Sequence, residues 1–154
     1  MLFWTLGGLG LANWKVLPIA LMGLISIFAF AITTHRSLDA LLAGDETAVT
    51  LGVNVKLYRQ VAFLICAFAT ASFVALSGVI GFVGLMVPHL ARGLVGPLHG
   101  GLLITSAVIG AVLLLLSDIA ARTLMAPQEL PIGALTTSIG AIFVLYLVLS
   151  LIHI

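Results

Sequence analysis

The sequence predicts an all-α integral membrane protein: a polytopic helical bundle of about five transmembrane passes, with a pair of short helices on the cytoplasmic surface. Three observations carry this. The chain of 154 residues is 62% hydrophobic and only 7% charged, with a mean hydropathy of +1.34. Soluble domains carry about 25% charged residues, so there are too few here for a water-facing surface. The apolar residues fall in long unbroken runs, and a run of ~20 spans the hydrocarbon as a helix whose backbone bonds are satisfied internally. Alternating runs, which would indicate a barrel, are not the pattern. The third observation is one polar interruption, Leu38 to Val53 (LDALLAGDETAVTLGV), which holds three of the five acidic residues (Asp39, Asp45, Glu46) and two glycines, Gly44 and Gly52. It is too polar to cross a membrane and too leucine-rich for a loose linker. It reads as two short helices lying on the membrane surface and presented to a partner protein.

The same numbers exclude several functions. A net charge of +1 with no basic run offers nothing to a nucleic-acid backbone. A single cysteine, Cys66, inside an apolar run provides neither a disulfide framework nor a zinc cluster. HExxH, GxxxxGK[ST] and GxSxG are all absent from the sequence. If ATP drives this protein, another chain binds it.

Taken in order, Met1 to Lys15 sets Trp4 and Trp14 around Gly7, Gly8 and Gly10 and reads as an interfacial loop, since glycine breaks helices and tryptophan favours the membrane–water boundary. No basic n-region of a signal peptide opens the chain, and the start reads as mid-protein. Val16 to Thr34 is the first span, with Pro18 tolerated in its first turn. It ends at His35-Arg36. The second span runs from about Val61 to Val79. Between the two lie Arg36, Lys56 and Arg59, against Lys15 alone before the first, so the Leu38–Val53 loop is placed in the cytoplasm. In SGVIGFVGLMVPHLARGLVG, glycines recur at Gly78, Gly81 and Gly84, and Pro88 interrupts the apolar run after them. Phe82 to Leu94 is short for a span and reads as a broken segment returning to the cytoplasm. Gly101 to Ser117 crosses next and ends outside at Asp118 and Arg122. A brief outer connection (TLMAPQEL) leads to Pro131 and a last span, Ile132 to Leu151.

The candidate residues each have a plain and a sharper reading. Gly133, Thr137, Gly140 and Ala141 share a face of the last span, and Ser106, Gly110, Ala107 and Ala111 lie together on the span before it. Small residues let helices approach in lipid; the same faces could line a pathway. Asp118 and Arg122, four apart, can form a local ion pair, or Arg122 can receive an acid from a docking protein. His89 and Arg92 mark a membrane boundary, with His89 bonded to backbone freed by Pro88, or His89 relays protons. His99 is expected to be solvated in a glycine-rich loop. Glu129 suits the N-terminus of the last helix through the macrodipole.

Four blocks, LLAGDETAVTLGV (41–53), SGVIGFVGLMVPHLAR (77–92), SDIAAR (117–122) and ELPIGALTTSIGA (129–141), together with the opening LFWTLGGLGLANW, resemble the FecCD-like permease family of binding-protein-dependent ABC importers for iron-siderophores, haem and cobalamin. The resemblance covers essentially the whole chain but only the C-terminal half of a roughly ten-helix permease. It implies a fragment, and the ending LSLIHI lacks the family's basic cytoplasmic tail. It further implies that residues 38–53 form the coupling helices that dock into an ATPase subunit. Gly44, Asp45, Glu46, Ala48, Leu51 and Gly52 match the family's LGE-x-x-A-x-x-LG pattern, although Ala43-Gly44-Asp45-Glu46 departs slightly from LGE. Leu41 joins them as a coupling contact. Arg122 matches an outer-face arginine that pairs with a glutamate of the substrate-binding protein. Gly81, Gly84, Pro88, His89, Arg92, Pro131 and Gly133 fall in the structural motifs.

The implied partners are a cytoplasmic ABC ATPase, an outer substrate-binding protein, a second permease copy and membrane lipid, in the bacterial inner membrane. Neither cofactor nor metal is expected, and the chain is not itself an enzyme. An ion-coupled secondary transporter relaying through His89 or Asp118, and a non-transporting scaffold subunit, are the alternatives. The first predicts uptake that collapses with the proton gradient; the second predicts that Arg122 and the 41–53 loop tolerate charge reversal.

Overall fold

The computed structural model describes residues 7–8, 14–15, 17–123 and 130–152. All of its regular structure is helical, in the order α1 (Leu17–Leu42), α2 (Asp45–Thr50), α3 (Val55–Ser77), α4 (Val83–Val95), α5 (His99–Thr123) and α6 (Ile132–Ile152). Four helices, α1, α3, α5 and α6, are long and apolar enough to cross a membrane, and α4 is a shorter apolar helix of 13 residues. Together they give the five passes expected, one of them irregular. Most of Met1–Lys15, the outer connection with Glu129, and His153 lie outside the described residues.

The helices extend beyond the apolar runs because lipid sets where a chain must be apolar, not where a helix must stop. The first runs eight residues past Thr34, and α3 starts at Val55, well before Val61. Asn54 caps α3 by accepting the Leu57 N–H at 3.2 Å, satisfying one of the unpaired donors of the first turn. The expected pair of short helices is therefore drawn differently. Leu38–Leu42 continues α1, and only Asp45–Thr50 forms a separate short helix. Nothing between His35 and Leu42 breaks a helix; the break comes at Gly44, whose φ of +103° is open to glycine at little cost.

Helix α1 packs along α3, α4 along α5, and α5 also touches α1 and α6, so α5 is the hub of the bundle. Contacts run through small residues, as close approach in lipid requires. At Gly23 of α1 an added Cβ would lie 3.3 Å from the Ala69 backbone and 3.4 Å from the Ser72 Cβ of α3, and Ala69 and Ser72 are buried. Gly110 of α5 faces Val87 of α4 in the same way, at 3.8 Å.

The irregular pass is built around α6. The stretch 78–82 runs without regular helix from Gly78, the C-cap of α3 at φ +69°, to Phe82, the one non-glycine described residue with positive φ (+64°). Gly78 is buried, and the chain at Gly7 packs against the Val79 carbonyl; irregular chain at membrane depth needs such protein neighbours. The Gly8 N–H donates to the Ser77 carbonyl at 2.7 Å, and the Gly133 N–H reaches the Gly7 carbonyl at 3.5 Å. Phe82 then seats on Gly140, where any added Cβ would overlap the Phe82 side chain. A Cβ on Gly81 would come within 3.2 Å of the Thr137 hydroxyl. At these positions the small faces of α5 and α6 serve helix packing.

Candidate docking site at the α2 end

Short helices need help to form, and α2 has only six residues. Asp45 and Glu46 occupy its first turn, where negative charge complements the helix dipole. The N-cap is Gly44, which supplies no side-chain bond, so the acids carry the electrostatic stabilisation at that end. Ala48 is fully buried and fixes the inner face. The far end is closed by the Gly52 N–H to the Val49 carbonyl (2.9 Å) and the Val53 N–H to the Ala48 carbonyl (3.0 Å), with Gly52 at φ +82°. Asp45 meets Arg59 of α3 at 2.8 Å in an exposed ion pair. Tyr58 donates its hydroxyl to the Thr34 carbonyl at 2.9 Å and packs its ring on Phe30 at 5.6 Å, tying α3 to α1 just inside the site.

Two apolar side chains stand uncovered at the C-terminal end of α2, beside its exposed acids and threonines: Val49 is 61% exposed, and Leu51, the C-cap, 67%. Beside it an open groove of about 950 Å³ runs between Asp45, Glu46, Val49, Val53 and Lys56 toward Gln60. Hydrophobic side chains set in an acidic and basic rim, on a short helix bracketed by two left-handed glycines, are what a protein–protein contact offers. Of the expected coupling residues, Gly44, Asp45, Glu46, Ala48, Leu51 and Gly52 are brought together here. Leu41 belongs instead to the last turn of α1 and is half-buried.

At the opposite end of the bundle, Arg122 donates from Nε to Asp118 at 3.0 Å, with about half of its side chain exposed (49%). The plain ion pair is present, and the guanidinium keeps a face to solvent. Leu130 returns to this end through its N–H to the Ala121 carbonyl at 3.2 Å, and Pro131 and Gly133 follow at the start of α6.

The motif residues of α4 lie away from α2's exposed face. Pro88 sits inside the helix and Arg92 in its last turn, suited to the negative end of the dipole. Gly84 has open space where its side chain would be. His89 packs edge-on against Phe143 at 5.6 Å rather than bonding to backbone freed by Pro88. His99 also departs from expectation. It opens α5, and both its backbone N–H (2.7 Å) and its ring Nδ1 (2.9 Å) meet Oδ1 of Asp39. Sequence reasoning could not find this pair, whose members are 60 residues apart; the local signal was an acid standing between leucines in the last turns of α1.

Known proteins share this layout. The pattern of the FecCD transport family matches residues 1–150. The chain belongs to the FecCD transport family. It is 43% identical to the hemin transport system permease protein HmuU of Yersinia pestis, over 95% of this chain and 44% of that one. It is 39% identical to the Fe(3+) dicitrate transport system permease protein FecD of Escherichia coli, over 97% of this chain and 47% of the relative. It is also 39% identical to the cobalamin import system permease protein BtuC of Halobacterium salinarum, over 95% and 39%. A solved structure of a putative metal-chelate type ABC transporter in an inward-facing conformation superposes with a TM-score of 0.84 at 38% identity, covering 97% of this chain and 48% of its own. The chain thus spans less than half the length of these curated relatives, which include both bacterial and archaeal proteins.

Proposed function

We propose that this chain is the C-terminal part of a permease subunit in a binding-protein-dependent ABC importer for iron-siderophore, haem or cobalamin-like chelates, working in a prokaryotic cytoplasmic membrane as one of two permease copies. The observation that carries the reading is α2: a short helix with Val49 and its C-cap Leu51 uncovered, held between Gly44 and Gly52 at the end of a membrane-crossing helix. In this reading the exposed face inserts into a groove of a separate ATPase subunit, which hydrolyses the ATP, and Leu41 supports the element from behind. A partner can shift a conformational equilibrium only through contacts that differ between states, and α2 supplies a compact element that such contacts can push. The solvent-facing side of Arg122 receives a carboxylate of the substrate-binding protein at the other end. The relatives named for hemin, ferric dicitrate and cobalamin support this substrate class.

The test is to place Val49→Asp and Leu51→Asp together in the full-length permease. Insertion should persist, while co-purification with the ATPase and substrate uptake should both be lost. Normal uptake by that variant, or uptake that follows the proton gradient without any ATPase, overturns the importer reading.

A further inference from the structure

The two docking faces lie at opposite ends of the bundle and on different helices. Helix α2 follows α1, whereas Arg122 sits in the last turn of α5. Helices α1 and α5 pack against each other, and one side-chain hydrogen-bonded contact between them is described. Asp39, three residues before the end of α1, receives on the same Oδ1 atom the backbone N–H of His99 at 2.7 Å and its ring Nδ1 at 2.9 Å. Charge-assisted bonds of this kind are shorter and stronger than neutral ones. The pair is also sheltered, with the His99 and Asp39 side chains 18% and 25% exposed, so water competes with it less than with the Asp45–Arg59 contact, whose side chains are 53% and 63% exposed. His99 is the first residue of α5, where a backbone N–H has no partner within the helix. Its chain connection to α4 is a turn through Gly96 (φ +81°) and Pro97. Beside the pair, the His35 ring approaches Gly100, with its Cδ2 3.9 Å from the position of an added Cβ.

We infer that Asp39 is a positioning residue that carries movement of α2 into α5. Its carboxylate holds the first turn of α5 to the segment on which α2 is mounted, so displacement at one docking face travels along an intact helix to the Arg122 face. This rests on the importer reading of the preceding section.

The experiment measures basal ATPase activity, stimulation of that activity by the binding protein, and substrate uptake, in the full-length permease reconstituted with its ATPase. Asp39→Ala removes the acceptor; it should retain basal hydrolysis and membrane insertion yet lose at least about ten-fold in both binding-protein stimulation and uptake. Asp39→Asn keeps an acceptor oxygen and should recover most of both. His99→Ala, which keeps the backbone N–H bond, should fall between them. Where Asp39→Ala fails to insert, the Asn and His99→Ala variants carry the same comparison. A stimulated wild type with an unchanged Asp39→Ala variant overturns the link alone, as does a loss of basal and stimulated activity in equal proportion. A wild-type complex that the binding protein does not stimulate overturns the importer reading and the link with it.

Discussion

Glycine does different work at the two ends of this bundle. Around α2, Gly44 and Gly52 have positive φ and open space where a side chain would go; they are needed because the chain must turn. At the α4–α6 contact, Gly140 lies within a regular helix, and it is needed because Phe82 occupies the place of its Cβ. The first region is an exposed element closed by its own turns. The second is a jigsaw contact in which one large side chain fills the notch left by a missing one. An exposed element and a closed seam can therefore use the same residue for unrelated physical reasons.

Substitution separates the two cases. Gly140→Leu should have the largest effect on stability, about 1–3 kcal/mol or more from overpacking, read as a lowered midpoint of thermal unfolding in detergent; combining it with Phe82→Gly should restore much of the loss. Gly44→Ala places a side chain where φ is +103° and should cost about 1–3 kcal/mol of local strain. That cost should appear as faster amide exchange confined to residues 45–50 and as weakened ATPase capture, with the global midpoint little changed. If Gly44→Ala lowers global stability as Gly140→Leu does, the contrast between the two ends is wrong. Gly23→Ala meets its neighbours at 3.3–3.4 Å, a distance closed by small shifts, and should cost under about 1 kcal/mol. Arg59→Ala should be the mildest: the exposed ion pair with Asp45 contributes about 0–1 kcal/mol, visible as a loss that disappears at high salt.

The membrane class, the number of passes and the position of the interruption were all legible in the sequence because each depends on local composition. The helix ends were not. Thr34 and Val61 bound the apolar runs, but helix continues through His35 and Arg36 and begins before Lys56, since polar residues leave lipid without leaving the helix. Among the residues expected to couple, the two glycines and the acids fall together in and around α2, whereas Leu41 changed elements once α1 proved longer. The pairs Asp39–His99 and Phe82–Gly140 were invisible for another reason. Each joins residues about sixty apart in the chain, and only the packing of whole helices decides which such residues meet.

The length of α1 has a mechanical consequence. Its 26 residues, at about 1.5 Å each, make a rod of roughly 39 Å, against a hydrocarbon layer of about 30 Å. His35 and Arg36 mark where the surplus begins, and the final turns form a post that carries α2 clear of the lipid tails. A protein docked on such a mount would not have to displace lipid. A sideways push on it acts through a short lever arm about the membrane surface, so a small shift outside becomes a tilt within.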